Sequence, residues 1–230
     1  MSDMPIPGGG GGSMPMMWMP MPGETWLGTA ASFLGMWTVM MAAMMLPSLV
    51  PMLWRYRRAV GRTGATHLGW LTALVGLGYF FVWTVLGAAV FPLGAALAAI
   101  ATRLPAPARA IPIAGGAVVL VAGVLQLTPW KARRVARCLE PPMCGHTLSA
   151  DGRTAWRHGL HLGLHCCYCC AELMTVLLVI GVMDLRAMAA VTAAITAERL
   201  APDRMRVAQA IGAVIVVAGV VRIALAVGIA

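Results

Sequence analysis

An all-α fold, a polytopic transmembrane helix bundle of about six membrane helices, is what this chain predicts, and three observations predict it. Mean hydropathy is +0.82, with 60% hydrophobic and 11% charged residues among 230. A soluble domain of that length leaves too much area exposed to hide so much apolar surface. Several stretches run about 20 residues without a charge, the length needed to cross a bilayer core. The arginines cluster between those stretches.

The clustering excludes one function class. A net charge of +9 invites nucleic acid, but the basic clusters lack the interleaved aromatics that single-strand binders use. In a membrane chain they report orientation instead. A secreted disulfide framework is equally unlike this sequence, because four of six cysteines crowd into residues 166–170 rather than spreading through loops.

Taken in order, residues 1–25 hold no lysine or arginine, only a GGGGGS linker and then MPMMWMPMPG. Such a segment has no core to build and reads as a flexible external tail. It shows neither a basic n-region nor a cleavage site, so it is expected to stay attached. Residues 26–230 form the transmembrane helical domain. The first apolar run covers about 26–53, with Pro47 and Pro51 near its end. The second covers about 67–98, the third 111–130, the fourth 159–183, the fifth 187–198 and the sixth 207–229, interrupted by Arg222.

The connection at 54–66 carries Arg55, Arg57, Arg58 and Arg62; that at 131–157 carries Lys131, Arg133, Arg134, Arg137, Arg153 and Arg157; that at 199–206 carries Arg199, Arg204 and Arg206. Alternate connections hold only Arg103 and Arg109, or Arg186. Basic loops stay in the cytoplasm, which sets six helices with the N- and C-termini outside. The fifth run is short for a full crossing, so it is thin, tilted or re-entrant.

Residues 158–170 read HGLHLGLHCCYCC. On a helix, His158, His161, His165, Cys169 and Glu172 recur at spacings of three and four and form one stripe, with Cys166 beside it. Cys166/Cys169 and Cys167/Cys170 are overlapping CxxC pairs. One or two cysteines in an apolar helix are small hydrophobes. Four in five positions, continuous with three histidines, read as metal ligands, and thiolate biases such a site toward Cu(I) or Zn(II). Glu172 lies about a turn deeper, where an ionisable group is costly and a candidate for function. It is placed to ligate, to take a thiol proton or to pair with a base; the alternative is a neutral, hydrogen-bonded acid.

Methionine adds the second soft ligand. Of 18 methionines, Met14, Met16, Met17, Met19 and Met21 lie in the tail, where there is no core for them to fill. Met36, Met40 and Met44 repeat every four residues along the first helix, as do Met41 and Met45. Thioethers select Cu(I) over zinc, although methionine is also a common filler of apolar helices. Counting rise per residue puts Met44 and Met45 at the depth of Cys166 to Cys170. Contact between those helices would let Met44 or Met45 complete a sulfur site with Cys166 and Cys169. The candidate metal ligands are therefore Cys166, Cys169, Cys170, His165, His161, Met44, Met40 and Glu172. Cys138, Cys144 and His146 read equally well as a relay or as ordinary thiols in a loop. Asp184 and Arg222 are expected to pair, and the GLG and GGAV runs to mark close helix packing.

The segments MWTVMMAAMMLPSLVPML, LTPWKARRVARCLEPPM and GLHCCYCCAELMTVLLVIGVMDL resemble a bacterial family described as predicted metal-binding integral membrane proteins, over about residues 35–200. The family's Cys-x-Gly-Cys-Cys-Trp pattern and following methionine map onto Cys166, Cys169, Cys170 and Met174. Tyr168 stands where the family has glycine and Ala171 where it has tryptophan; Cys138 and Glu198 match positions it commonly carries. The resemblance implies metal association in the bacterial inner membrane.

These readings converge on a multi-pass inner-membrane protein handling Cu(I), with zinc as the second candidate ion. The partners expected are the lipid bilayer and a copper chaperone or cuproprotein, with no nucleic acid. There is no phosphorylated-aspartate motif or soluble catalytic domain, so any transport is passive or gradient-coupled. The enzymatic alternative is a thiol–disulfide oxidoreductase using the CxxC pairs. A third is a structural assembly subunit.

Overall fold

The computed structural model describes residues 25–62, 67–103, 105–128, 131, 151–182 and 184–228. The tail methionines and Cys138, Cys144 and His146 lie outside these residues. Six helices follow one another: α1 (Trp26–Gly61), α2 (Leu68–Arg103), α3 (Pro105–Leu127), α4 (Gly152–Ile180), α5 (Leu185–Leu200) and α6 (Arg204–Val227). There is no strand among the described residues. The all-α bundle expected from the apolar runs is the fold observed.

Each start has a local cause. Thr25 Oγ1 accepts from Gly28 N at 3.2 Å to cap α1, and Asp203 accepts from Arg206 N to cap α6. Asp184 accepts from the amides of Arg186 and Ala187 and so begins α5. These caps satisfy donors that a helix cannot satisfy internally. The carboxylate of Asp184 is thereby committed to its own helix, and the expected ion pair with Arg222 is absent among the described residues. Gly181, at φ 128°, ends α4.

Four helices are long and apolar enough to cross a bilayer: α1, α2 (as Leu68–Ile100), α4 and α6. The apolar stretch of α3, Ile111–Leu127, is shorter. At 16 residues, α5 spans about 24 Å, less than the roughly 30 Å of a hydrocarbon core. The first helix outruns its apolar stretch, continuing through the basic WRYRRAVG despite Pro47 and Pro51 within it.

Backbone proximity is bought with glycine at two crossings. A Cβ on Gly159 of α4 would lie 2.3 Å from the Val75 carbonyl oxygen of α2, and one on Gly163 would lie 2.9 Å from that of Tyr79. Between α3 and α6, Gly219 faces Leu120 N at 2.8 Å in the same way. The α2–α4 and α3–α6 pairs are accordingly the most intimate in the bundle, the packing that small residues permit. Trp37 of α1 donates to the Trp83 carbonyl of α2 at 2.9 Å, while α5 leans on α1, α4 and α6. The α2–α4 crossing is what presents the cysteine segment to the core.

Candidate metal centre

Cys166 and Cys170 are one turn apart on α4, about 40° around its axis, and both are buried free thiols. Their sulfurs stand 3.9 Å apart. Met40, Met41, Met44 and Met45 of α1 are all buried in the same core, and Met45 Sδ lies 3.9 Å from Cys166 Sγ. Metal–thiolate bonds run about 2.3 Å for zinc. Three sulfurs at that radius in a plane stand about 4.0 Å from one another, close to the spacing of Cys166 from each of the other two. Among the described residues, no three His, Cys, Asp or Glu side chains come close enough to hold a metal. The third soft atom here is a thioether.

Donors converge on the same sulfurs. The Tyr79 hydroxyl of α2 donates to Cys166 Sγ at 2.9 Å. Arg199 of α5 donates through Nη2 to Cys166 Sγ at 2.9 Å and to Cys170 Sγ at 3.6 Å, and its Nη1 lies 4.0 Å from Met52 Sδ. One guanidinium thus touches three sulfurs. Charge-assisted donors of this kind suit a thiolate or an anionic metal–thiolate complex.

A second buried group lies on the adjoining face of α4. Lys131 is fully buried; its Nζ donates to the Cys169 carbonyl at 2.8 Å and pairs with Glu172 at 3.4 Å and Glu198 at 3.3 Å. Gln126 donates to Glu198 from α3. Of the roles open to Glu172, pairing with a base is the one observed. Cys169 is disulfide-bonded. A sulfur so engaged offers no thiolate to a metal until it is reduced.

The histidines stand apart from both groups. His158 stacks on Tyr56 of α1 at 5.3 Å, His161 is exposed and His165 half-buried, and none of them takes part in the sulfur contacts. His161 and Glu172 differ by only about 20° around the helix, yet one is exposed and the other buried. Axial position relative to the neighbouring helices decides, which a helical projection does not contain. Cys166 and Cys170 lie about 105° and 145° away from the middle of the histidine stripe. Met40 and Met44 are in the shared core, but the sulfur contact belongs to Met45. Arg199 and Lys131 read in the sequence as orientation markers, and Tyr79 and Gln126 were not distinguished at all. A visible signal for some of them was a polar or ionisable residue at the edge of an apolar run, as at Gln126 and Glu198-Arg199.

A cavity of about 80 Å³ opens beside the thiols, lined by Ser48, Met52 and Arg55 of α1, by Cys169 and Cys170 of α4, and by Arg199 and Arg204 among others.

The fold and this geometry define an α-helical bundle with a buried cluster of soft ligands. A family model described as PpoB2, copper chaperone, matches residues 34–222, and the chain belongs to that copper chaperone family. No curated protein and no solved structure matches it. The membership covers the metal association that the resemblance implied, and it names copper.

Proposed function

We propose that this chain is an integral membrane copper chaperone that holds Cu(I) between Cys166, Cys170 and Met45 and passes it to a cuproprotein. The observation that carries the reading is the approach of a thioether and a second thiol to within 3.9 Å of Cys166, in a chain of a copper chaperone family. Two thiolates and a thioether are a soft set that suits Cu(I) better than zinc. Bis-thiolate Cu(I) carries one negative charge, and the guanidinium of Arg199 already lies against both sulfurs.

Membrane insertion is supported by the outer surface. Leu77, Val85, Leu97, Val214 and Val217 are each more than half exposed, an apolar exterior that soluble monomers rarely tolerate. Exposed Trp26 and Trp54 lie near the two ends of α1, about 42 Å apart by helical rise. That matches a bilayer including its interfacial regions, where tryptophan gathers.

Metal analysis of full-length protein, purified anaerobically in detergent and incubated with Cu(I) and Zn(II) together, tests the proposal. Wild type is expected to retain copper and Cys166→Ser/Cys170→Ser to lose it. Zinc in place of copper, or copper retained by the double variant, overturns it.

One observation favours the second reading, a thiol–disulfide oxidoreductase: Cys169 is disulfide-bonded beside the free thiol of Cys170. Disulfides persist in oxidising compartments, whereas the arginine distribution assigns this end of α4 to the cytoplasm. Alkylation of intact cells from each side separates the two. The copper reading with the arginine-derived orientation expects Cys170 to be protected from membrane-impermeant reagent. Labelling from outside, with Cys169 cycling between disulfide and thiol, favours the oxidoreductase.

A further inference from the structure

Resting on the copper reading, we infer that the cavity beside Cys170 receives Cu(I) as an anionic complex of a small, carboxylate-bearing thiol, and that exchange begins at Cys170. Four observations meet there. The first is position: Cys170 lines the cavity, whereas Cys166 and Met45 do not. An incoming ion therefore meets Cys170 first and finds Cys166 Sγ 3.9 Å beyond it, with Met45 Sδ another 3.9 Å from Cys166.

The second is charge. Arg55, Arg199 and Arg204 all line the cavity against a single carboxylate, Glu198, which is already engaged by Lys131 and Gln126. Arg55 is exposed at the rim. A bare cation approaching three guanidiniums is repelled, whereas an anionic bis-thiolate complex with carboxylates on its ligands is attracted. The third is size. A volume of about 80 Å³ holds roughly six water-sized centres. That is room for a thiol of about cysteine dimensions. The fourth is an unspent polar atom: Ser48 Oγ, on the cavity wall, is buried without a hydrogen-bond partner.

The exchange balances without any redox change. Cys170 sulfur bonds to Cu(I) as one carrier sulfur–copper bond breaks, and the Cys170 proton leaves on the departing carrier thiol. Cys166 displaces the second carrier thiolate in the same way, its proton leaving on that thiol. Two carrier thiols depart, and copper remains Cu(I) in a complex of the same single negative charge, beside Arg199.

The test follows transfer to detergent-purified full-length protein from two donors by stopped flow. One is Cu(I) complexed by mercaptoacetate, a thiol smaller than cysteine that carries one carboxylate; the other is Cu(I) complexed by 2-mercaptoethanol, which adds no charge beyond the single negative charge of the bis-thiolate. Arg55→Gln/Arg204→Gln is expected to slow transfer from mercaptoacetate about tenfold or more and to leave transfer from mercaptoethanol within twofold. The slowing should fade as salt is raised. Final copper stoichiometry and the unfolding midpoint, read in parallel, should match wild type. Equal slowing with both donors, or none with mercaptoacetate, overturns the inference. Failure of wild type to take copper from either donor overturns the copper reading itself, a separate outcome.

Discussion

The two buried polar groups on α4 lie within a turn of each other and are built on opposite principles. Around Lys131, an ammonium is closed in by two carboxylates and a backbone carbonyl. It ties α4 and α5 to the segment after α3, and its two carboxylates share the one ammonium. Around Cys166, the acceptors are polarisable sulfurs that make weak hydrogen bonds, and a cavity stands alongside. Strong groups that pair with one another hold helices together; soft groups whose binding capacity exceeds what the protein asks of them are available to something else. The first group is architecture and the second is chemistry.

The largest expected effect breaks the first group. Lys131→Met leaves Glu172 and Glu198 buried without their ammonium, and removing one member of a buried ion network costs about 3–5 kcal/mol. A large drop in the unfolding midpoint in detergent is expected. A fully stable Lys131→Met that has lost copper would reverse the division of labour. A smaller effect sharpens the second group. Tyr79→Phe removes the hydroxyl donated to Cys166; loss of such an outer-sphere hydrogen bond weakens metal affinity about tenfold. Its stability should change by about 1 kcal/mol. Competition with a Cu(I) chelator measures the former and thermal unfolding the latter. The smallest effect concerns the residues that look most like ligands. His161→Ala/His165→Ala is expected to leave Cu(I) affinity within twofold in the same chelator assay, because neither ring takes part in the sulfur contacts. A tenfold loss would return the histidines to the site.

That last prediction marks where the sequence stopped being readable. The bundle was legible because charge-free runs and basic connections are one-dimensional properties, counted along the chain. Cys166 and Cys170 were legible for a similar reason, since a spacing of four puts them on one wedge of a helix. Met45 was half legible: rise counting brought it to the right depth beside Met44, and nothing local chose between them. Arg199 was not, because its role depends on α5 folding back against α1 and α4. A guanidinium at the end of a short apolar run looks the same whether it marks the membrane face or touches three sulfurs.

Pro47 and Pro51 have no amide hydrogen to give the carbonyls of Ala43 and Pro47. In consequence the first helix lacks two rungs of its own ladder, one turn apart, which span Met45 and Ser48. Its course there is dictated by whatever leans on it, so the thioether's distance from its thiol partner is borrowed from α2 and α5. A change on those neighbouring helices should therefore register as altered grip on the ion before it registers as lost fold.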